Sequence, residues 1–122
     1  MRWLLHGELT GAVAEALKRH GHEARVAPDA GLSPDAAASD VLEFARQNQL
    51  EVLTTDPVLA HAPFGQTIRF DRTIVLLNIE AGEVEQDEAI DRLFARYKRL
   101  SPRRLYTVSA SRVKIRQLPG PA

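Results

Sequence analysis

The side chains able to do chemistry in this chain are few and scattered. There are four histidines and no cysteine, which excludes disulfides, thiolate zinc sites and a cysteine nucleophile. His6 and Glu8 follow the apolar run Trp3-Leu4-Leu5, and Asp56 closes Leu53-Thr54-Thr55-Asp56. Asp56 precedes Pro57, so it reads as a helix N-cap as readily as a reactive carboxylate. Glu8 fits a first-turn acid near a helix N-terminus. His61 is placed in an irregular segment, where an imidazole can give or take a proton near neutral pH. His20 and His22 flank Gly21, a spacing that can bind a metal, although a helix-terminal cation and a surface strand residue account for them more simply. Arg69 and Arg72 flank Phe70-Asp71, and Arg103-Arg104 follows Pro102. These four arginines are the candidates for guiding a phosphate backbone, against the plainer reading of solvated loop cations. Phe64, Phe70 and Tyr106 read as packing residues rather than base-stacking platforms.

Position matters more than type, and the elements set position. Trp3-Leu4-Leu5 predicts a buried strand. Leu9, Ala12, Val13, Ala16 and Leu17 recur at helical spacing, with Lys18, Arg19 and His20 suited to the helix end and Gly21 to its stop. Glu23 to Val26 predicts a short strand, and Pro28 to Gly31 a loop. Ser33-Pro34-Asp35 predicts a helix start that runs through Val41, Leu42, Phe44 and Ala45 to about Asn48. Val52-Leu53-Thr54 is a third strand. A short helical turn from Asp56-Pro57 through Ala60 leads into an irregular connection from His61 to Asp71. Thr73 to Ile79 is apolar on both faces, as in a buried parallel sheet. A helix with Ile90, Leu93, Phe94, Tyr97 and Leu100 on one face follows, acidic at its start and basic at its end. Leu105 to Val108 and Val113 to Arg116 flank Ser109-Ala110-Ser111 as a closing hairpin.

This alternation predicts a three-layer α/β/α domain with a mostly parallel central sheet, Rossmann-like, and a C-terminal β-hairpin. Crossovers should be right-handed. Ligands of such sheets bind beyond the carboxyl ends of the strands, so the places to look follow Leu5, Val26 and Thr54. The chain of 122 residues is long enough for a single domain, 1–118, with a disordered tail at 119–122. Sixteen basic and sixteen acidic residues cancel, which disfavours tight nonspecific DNA binding. No apolar run approaches the length of a membrane span. The opening residues predict no signal peptide, and the lack of cysteine fits a cytoplasmic location.

Several stretches together resemble the PIN-domain-like family of small metal-dependent ribonuclease folds, which includes the toxins of toxin–antitoxin pairs. They are Arg2-Trp3-Leu4-Leu5, Leu17 to Glu23, Val41-Leu42-Glu43-Phe44-Ala45-Arg46, Leu53 to Asp56, the strand at 74–77, and Val113-Lys114-Ile115-Arg116. The resemblance covers nearly the whole chain and implies hydrolysis of RNA phosphodiesters at Mg²⁺ or Mn²⁺. Of the family's acids Asp56 matches, and strand-end placement together with the resemblance points to Asp56, Glu8 and His6 as catalytic residues, with Asp56, Glu8 and one of Asp40 or Asp35 holding the ion. A metal so held would polarise the phosphodiester and activate water.

The chain departs from the family's pattern where acids are expected. His6 stands after the first strand, Ala38 near the second helix start, and Val58 after the Thr-Thr-Asp. Either His6 ligates a borderline metal such as Mn²⁺ or Zn²⁺, or it fills a retired site. The alternative function is therefore a catalytically inactive PIN-like module that binds a protein, such as an antitoxin, or RNA. The family also suggests a homodimer.

Overall fold

Successive side chains of a strand point to opposite faces of its sheet, and here both faces carry large aliphatic residues. In the computed structural model, which describes residues 1–65, 68–80 and 82–119, this pattern makes one sheet with helices on both sides. The strands are β1 (Arg2–His6), β2 (Glu23–Val26), β3 (Glu51–Thr54), β4 (Ile74–Leu77), β5 (Arg104–Val108) and β6 (Val113–Gln117). Their order across the sheet is β2-β1-β3-β4-β5-β6. The first five are parallel, and β6 runs antiparallel to β5. The helices are α1 (Gly11–Arg19), α2 (Ala38–Gln47), α3 (Pro57–Gly65) and α4 (Glu83–Arg96). The predicted α/β class and mostly parallel sheet are therefore present.

The strand register explains the two cores. Leu4, Val52, Ile74 and Leu105 lie side by side on four strands and pack against α2 and α3. One residue along, Leu5, Leu53, Val75 and Tyr106 form the next row and face α1 and α4. Burying each such side chain contributes about 1.5–3 kcal/mol before the ordering entropy is counted.

One crossover breaks the handedness rule. The steps β1–α1–β2 and β2–α2–β3 run in opposite directions with their helices on opposite faces, so they share a hand. The step β3–α3–β4 keeps that hand. The step β4–α4–β5 continues in the same direction, yet α4 lies beside α1 on the other face. Its hand is opposite to that of the other three, which corrects the expectation of uniform right-handed crossovers. In this position α4 packs Ala89, Ile90, Leu93 and Phe94 into the same core as Val75, Leu77, Tyr106 and Val108.

Three element boundaries also differ from expectation. Helix α2 starts at Ala38, not at Ser33-Pro34. Ser33 Oγ accepts the Asp35 N–H at 3.2 Å and its carbonyl accepts the Ala36 N–H at 3.0 Å, so a local turn competes with the helix there. Helix α3 extends to Gly65 with Pro63 inside it, through half of the predicted irregular connection. Helix α4 ends at Arg96 with Tyr97 extended, so Leu100, 5% exposed, reaches the core from a loop. Leu118 is buried and its N–H donates to the Arg103 carbonyl at 2.8 Å. Of the tail predicted at 119–122, Pro119 is exposed and 120–122 lie outside the described residues. Among the described residues no helix is long and apolar enough to cross a membrane.

Candidate functional site

Strands β1 and β3 are neighbours, but the chain leaves them in opposite directions. After β1 it passes to α1 on one face, and after β3 to α3 on the other. The carboxyl ends of this pair are the topological switch point, where a doubly wound sheet opens a crevice. A crevice of about 590 Å³ lies there, with His6, Glu8, Ser33 and Asp56 among its polar lining. Its apolar walls include Leu9, Pro28, Leu32 and Pro34. The size suits a nucleotide-sized ligand.

The polar floor is tied together by one hydroxyl. Thr54 is fully buried at the end of β3 and sits opposite His6 in the register. Its Oγ1 accepts the Asp56 N–H at 3.0 Å and lies 2.8 Å from His6 Nδ1. Which of the two donates depends on the His6 tautomer; with the ring proton on Nε2, Thr54 donates to Nδ1 and His6 keeps one N–H to offer a ligand. Burial holds the His6 pKa below the usual imidazole value, opposed in part by the negative charge of Asp56.

Asp56 caps α3. Its Oδ1 accepts the Val58 N–H at 2.9 Å and its carbonyl accepts the Ala60 N–H at 3.1 Å. The N-cap reading of Asp-Pro thus holds, and the same side chain still faces the crevice. The loop from Gly7 to Thr10 is held from both sides. Thr55 Oγ1 accepts the Glu8 N–H at 2.9 Å. Gln86 of α4, fully buried, donates to the Glu8 carbonyl and accepts from both the N–H and the hydroxyl of Thr10. With both polar atoms of the Gln86 amide bonded, this latch fixes Glu8 relative to α4.

The structure brings together His6, Glu8 and Asp56, the three residues expected as catalytic. It does not add Asp35 or Asp40, neither of which lines the crevice. Asp35 belongs to the turn before α2, and Asp40 lines a separate groove on the outside of α2 with Glu43, Arg46 and Arg69. Among the described residues no group of three or more His, Asp or Glu side chains is arranged to hold a metal ion. Mg²⁺ and Mn²⁺ need several oxygen ligands. With Asp35 and Asp40 placed elsewhere, the crevice holds two carboxylates and one imidazole, short of the three or four carboxylates that the resemblance implies.

The four candidate arginines lie away from this crevice. Arg72 pairs with Glu51 at the start of β3, with Nε to Oε1 at 3.1 Å. Arg104 begins β5, and the Arg103 N–H donates to the Arg72 carbonyl. All three sit at the amino ends of the strands, and Arg69 lies beside α2. His20 bonds Asp91 at 2.8 Å, while His22 Nδ1 accepts the Trp3 indole N–H at 3.1 Å. Both rings stack near Phe94, so this pair is structural. His61 Nδ1 lies 2.8 Å from the Pro57 carbonyl, within its own helix.

Sequence reading missed Thr54, Thr55 and Gln86. Gln86 carried a signal, since it sits at helical spacing with Ala89, Ile90 and Leu93 on the buried face, where an amide demands partners. No family model matches the chain, and no curated protein or solved structure matches it.

The depressed His6 pKa, together with that of His22, also lowered chiefly by burial, makes a stability prediction. Both rings bind protons less readily folded than unfolded. Stability is therefore full above the unfolded value of about 6.5 and is lost as the pH falls from there toward the folded values. We expect the urea midpoint to be flat from about pH 7 to 8 and to drop as the pH falls below about 6.5. The drop should shrink in His6→Gln and again in the double variant with His22→Gln. An equal drop in all three proteins would assign it to other groups.

Proposed function

We propose that this chain is a PIN-like RNA-binding domain that takes up part of an RNA strand in the crevice between β1 and β3, without a carboxylate-held metal centre. The observation that carries this reading is the Thr54 hydroxyl, which engages His6 Nδ1 and the Asp56 N–H at once. We assign Thr54 as the donor in the first of these contacts, which presents His6 as a neutral hydrogen-bond donor to the crevice. The carboxylates of Asp56 and Glu8 beside it repel phosphate but accept from hydroxyl and amino groups. The crevice therefore suits the sugar and base of a nucleotide. Doubly wound sheets use an acidic residue for ribose hydroxyls in the same way, and the 2′-hydroxyl is what distinguishes RNA from DNA.

The test is a titration of the protein with a short RNA oligonucleotide in the presence of EDTA, followed by NMR. Shifts should concentrate on the His6 ring and on the amides of Gly7, Glu8 and Asp56. DNA of the same sequence should bind roughly tenfold more weakly, the effect of losing about 1.4 kcal/mol of hydrogen bonding. Equal affinity for DNA, or no response to RNA, overturns the reading. RNA cleavage that requires Mn²⁺ and disappears in Asp56→Asn would establish instead the hydrolysis implied by the family resemblance.

A further inference from the structure

The reversed hand of the β4–α4–β5 crossover leaves the α3 side of β5 and β6 without a crossover helix of its own, covered only as far as α3 extends. On that side a groove of about 490 Å³ runs beside α3, with Leu76 and Leu105 in its floor. Its polar lining is His61, Asn78, Thr107, Lys114 and Arg116, with no carboxylate among the described residues that line it. In a chain of zero net charge, such a segregation of cations is a specific feature of this face. Arg116 stacks its guanidinium on the Phe64 ring, 3.8 Å from the ring centroid. This fixes the charge in place while leaving its N–H groups without a carboxylate partner among the described residues. Lys114 is likewise unpaired among them.

The groove is joined to the crevice by the sheet itself. One register row runs His6, Thr54, Leu76, Thr107, Lys114 across β1, β3, β4, β5 and β6. At about 4.8 Å per strand, the row spans roughly 19 Å. Asp56 lines the crevice and the next residue, Pro57, lines the groove.

We propose that this groove carries the phosphate backbone of the single-stranded RNA whose nucleoside end occupies the crevice, with Lys114 and Arg116 as the phosphate-binding side chains. The inference rests on the RNA reading above and gives the strand its path. The division of labour follows from charge: the acidic crevice takes hydroxyls and base, and the basic groove takes phosphates. An apolar floor beneath cations also tolerates bases of any sequence.

The test compares the wild-type protein with Lys114→Gln/Arg116→Gln and with Lys114→Glu alone, which leaves the Arg116–Phe64 stack intact. A labelled single-stranded RNA of about ten nucleotides, long enough to cover both sites, is titrated at several salt concentrations. A dinucleotide is followed at the His6 ring in parallel. The double variant should bind the longer RNA at least roughly tenfold more weakly. Its slope of log affinity against log salt should flatten by about 1.4, at ~0.7 for each phosphate that the two side chains no longer neutralise. Dinucleotide binding should be unchanged. Wild-type affinity and slope in both variants would overturn the groove while leaving the crevice reading standing. Failure of the wild type to bind either RNA would overturn both.

Discussion

Gly7→Ala should destabilise the protein by roughly 2–4 kcal/mol, the sum of a left-handed backbone penalty and an overpacking penalty. Gly7 ends the chain's exit from β1 with φ +92°, a region that side-chain-bearing residues avoid. A Cβ there would collide with Thr55 Oγ1 and come within 3.2 Å of the Thr55 backbone nitrogen. Neither neighbour is free to retreat. Thr55 Oγ1 holds the Glu8 N–H, and Thr55 is joined to the buried Thr54 that orders His6 and Asp56. The melting temperature should fall by about 8–16 °C, at ~4 °C per kcal/mol for a domain of this size. Because the clash lies on the floor of the crevice, the RNA-induced shifts at His6 that the proposed function predicts should also vanish at temperatures where the variant is still folded. A loss below about 0.5 kcal/mol would mean that the loop after β1 shifts freely.

Arg72→Met should cost about 2–3 kcal/mol through the charge it abandons. Glu51 is 4% exposed at the start of β3, and Arg72 bonds both of its oxygens, at 3.1 and 3.4 Å. Removing one member of a buried pair leaves an uncompensated ion, which costs ~3–5 kcal/mol when the pair is fully buried. Arg72 is 34% exposed, and water reaching Glu51 from that side lowers the figure. The informative experiment is the double variant with Glu51→Gln, which removes the stranded charge and should recover at least half of the loss. Urea denaturation of the wild type, both single variants and the double variant gives the coupling directly. Strictly additive losses would show that the pair contributes nothing as a pair. The same ion pair ties Arg72, read from sequence as a candidate phosphate-guiding cation, to the start of β3.

Much of the fold was legible because burial writes a local pattern. Thr73-Ile74-Val75-Leu76-Leu77 has no polar face, which only a strand covered on both sides requires, and it is the centre of the sheet. The helical spacing of Val13, Ala16 and Leu17 marked α1, and that of Ile90, Leu93 and Phe94 marked α4. Boundaries were less legible. Ser33-Pro34-Asp35 has the residue types of a helix start, but the same hydroxyl that caps a helix also closes a turn, and here the turn wins. Asp56-Pro57 has a similar signature and does cap α3. The difference lies in what each segment packs against, which no local pattern states.

For the site, sequence alone determined that His6 and Asp56 stand at two strand ends, because strand periodicity stops there and parallel sheets open at that end. It also showed that His6, Ala38 and Val58 stand where the PIN-like resemblance would place acids. Tertiary structure decided the rest. It turned Asp40 outward on α2, tied Arg72 to Glu51, and gave the Thr54 hydroxyl to His6. It also sent α4 to the α1 side, leaving Thr107, Lys114 and Arg116 on an open face. The physical reason is common to all of these. Periodicity records whether a residue is buried, which is a property of single positions. The partner of a buried polar group and the face chosen by a crossover depend on residues tens of positions away, brought adjacent only when the two cores close.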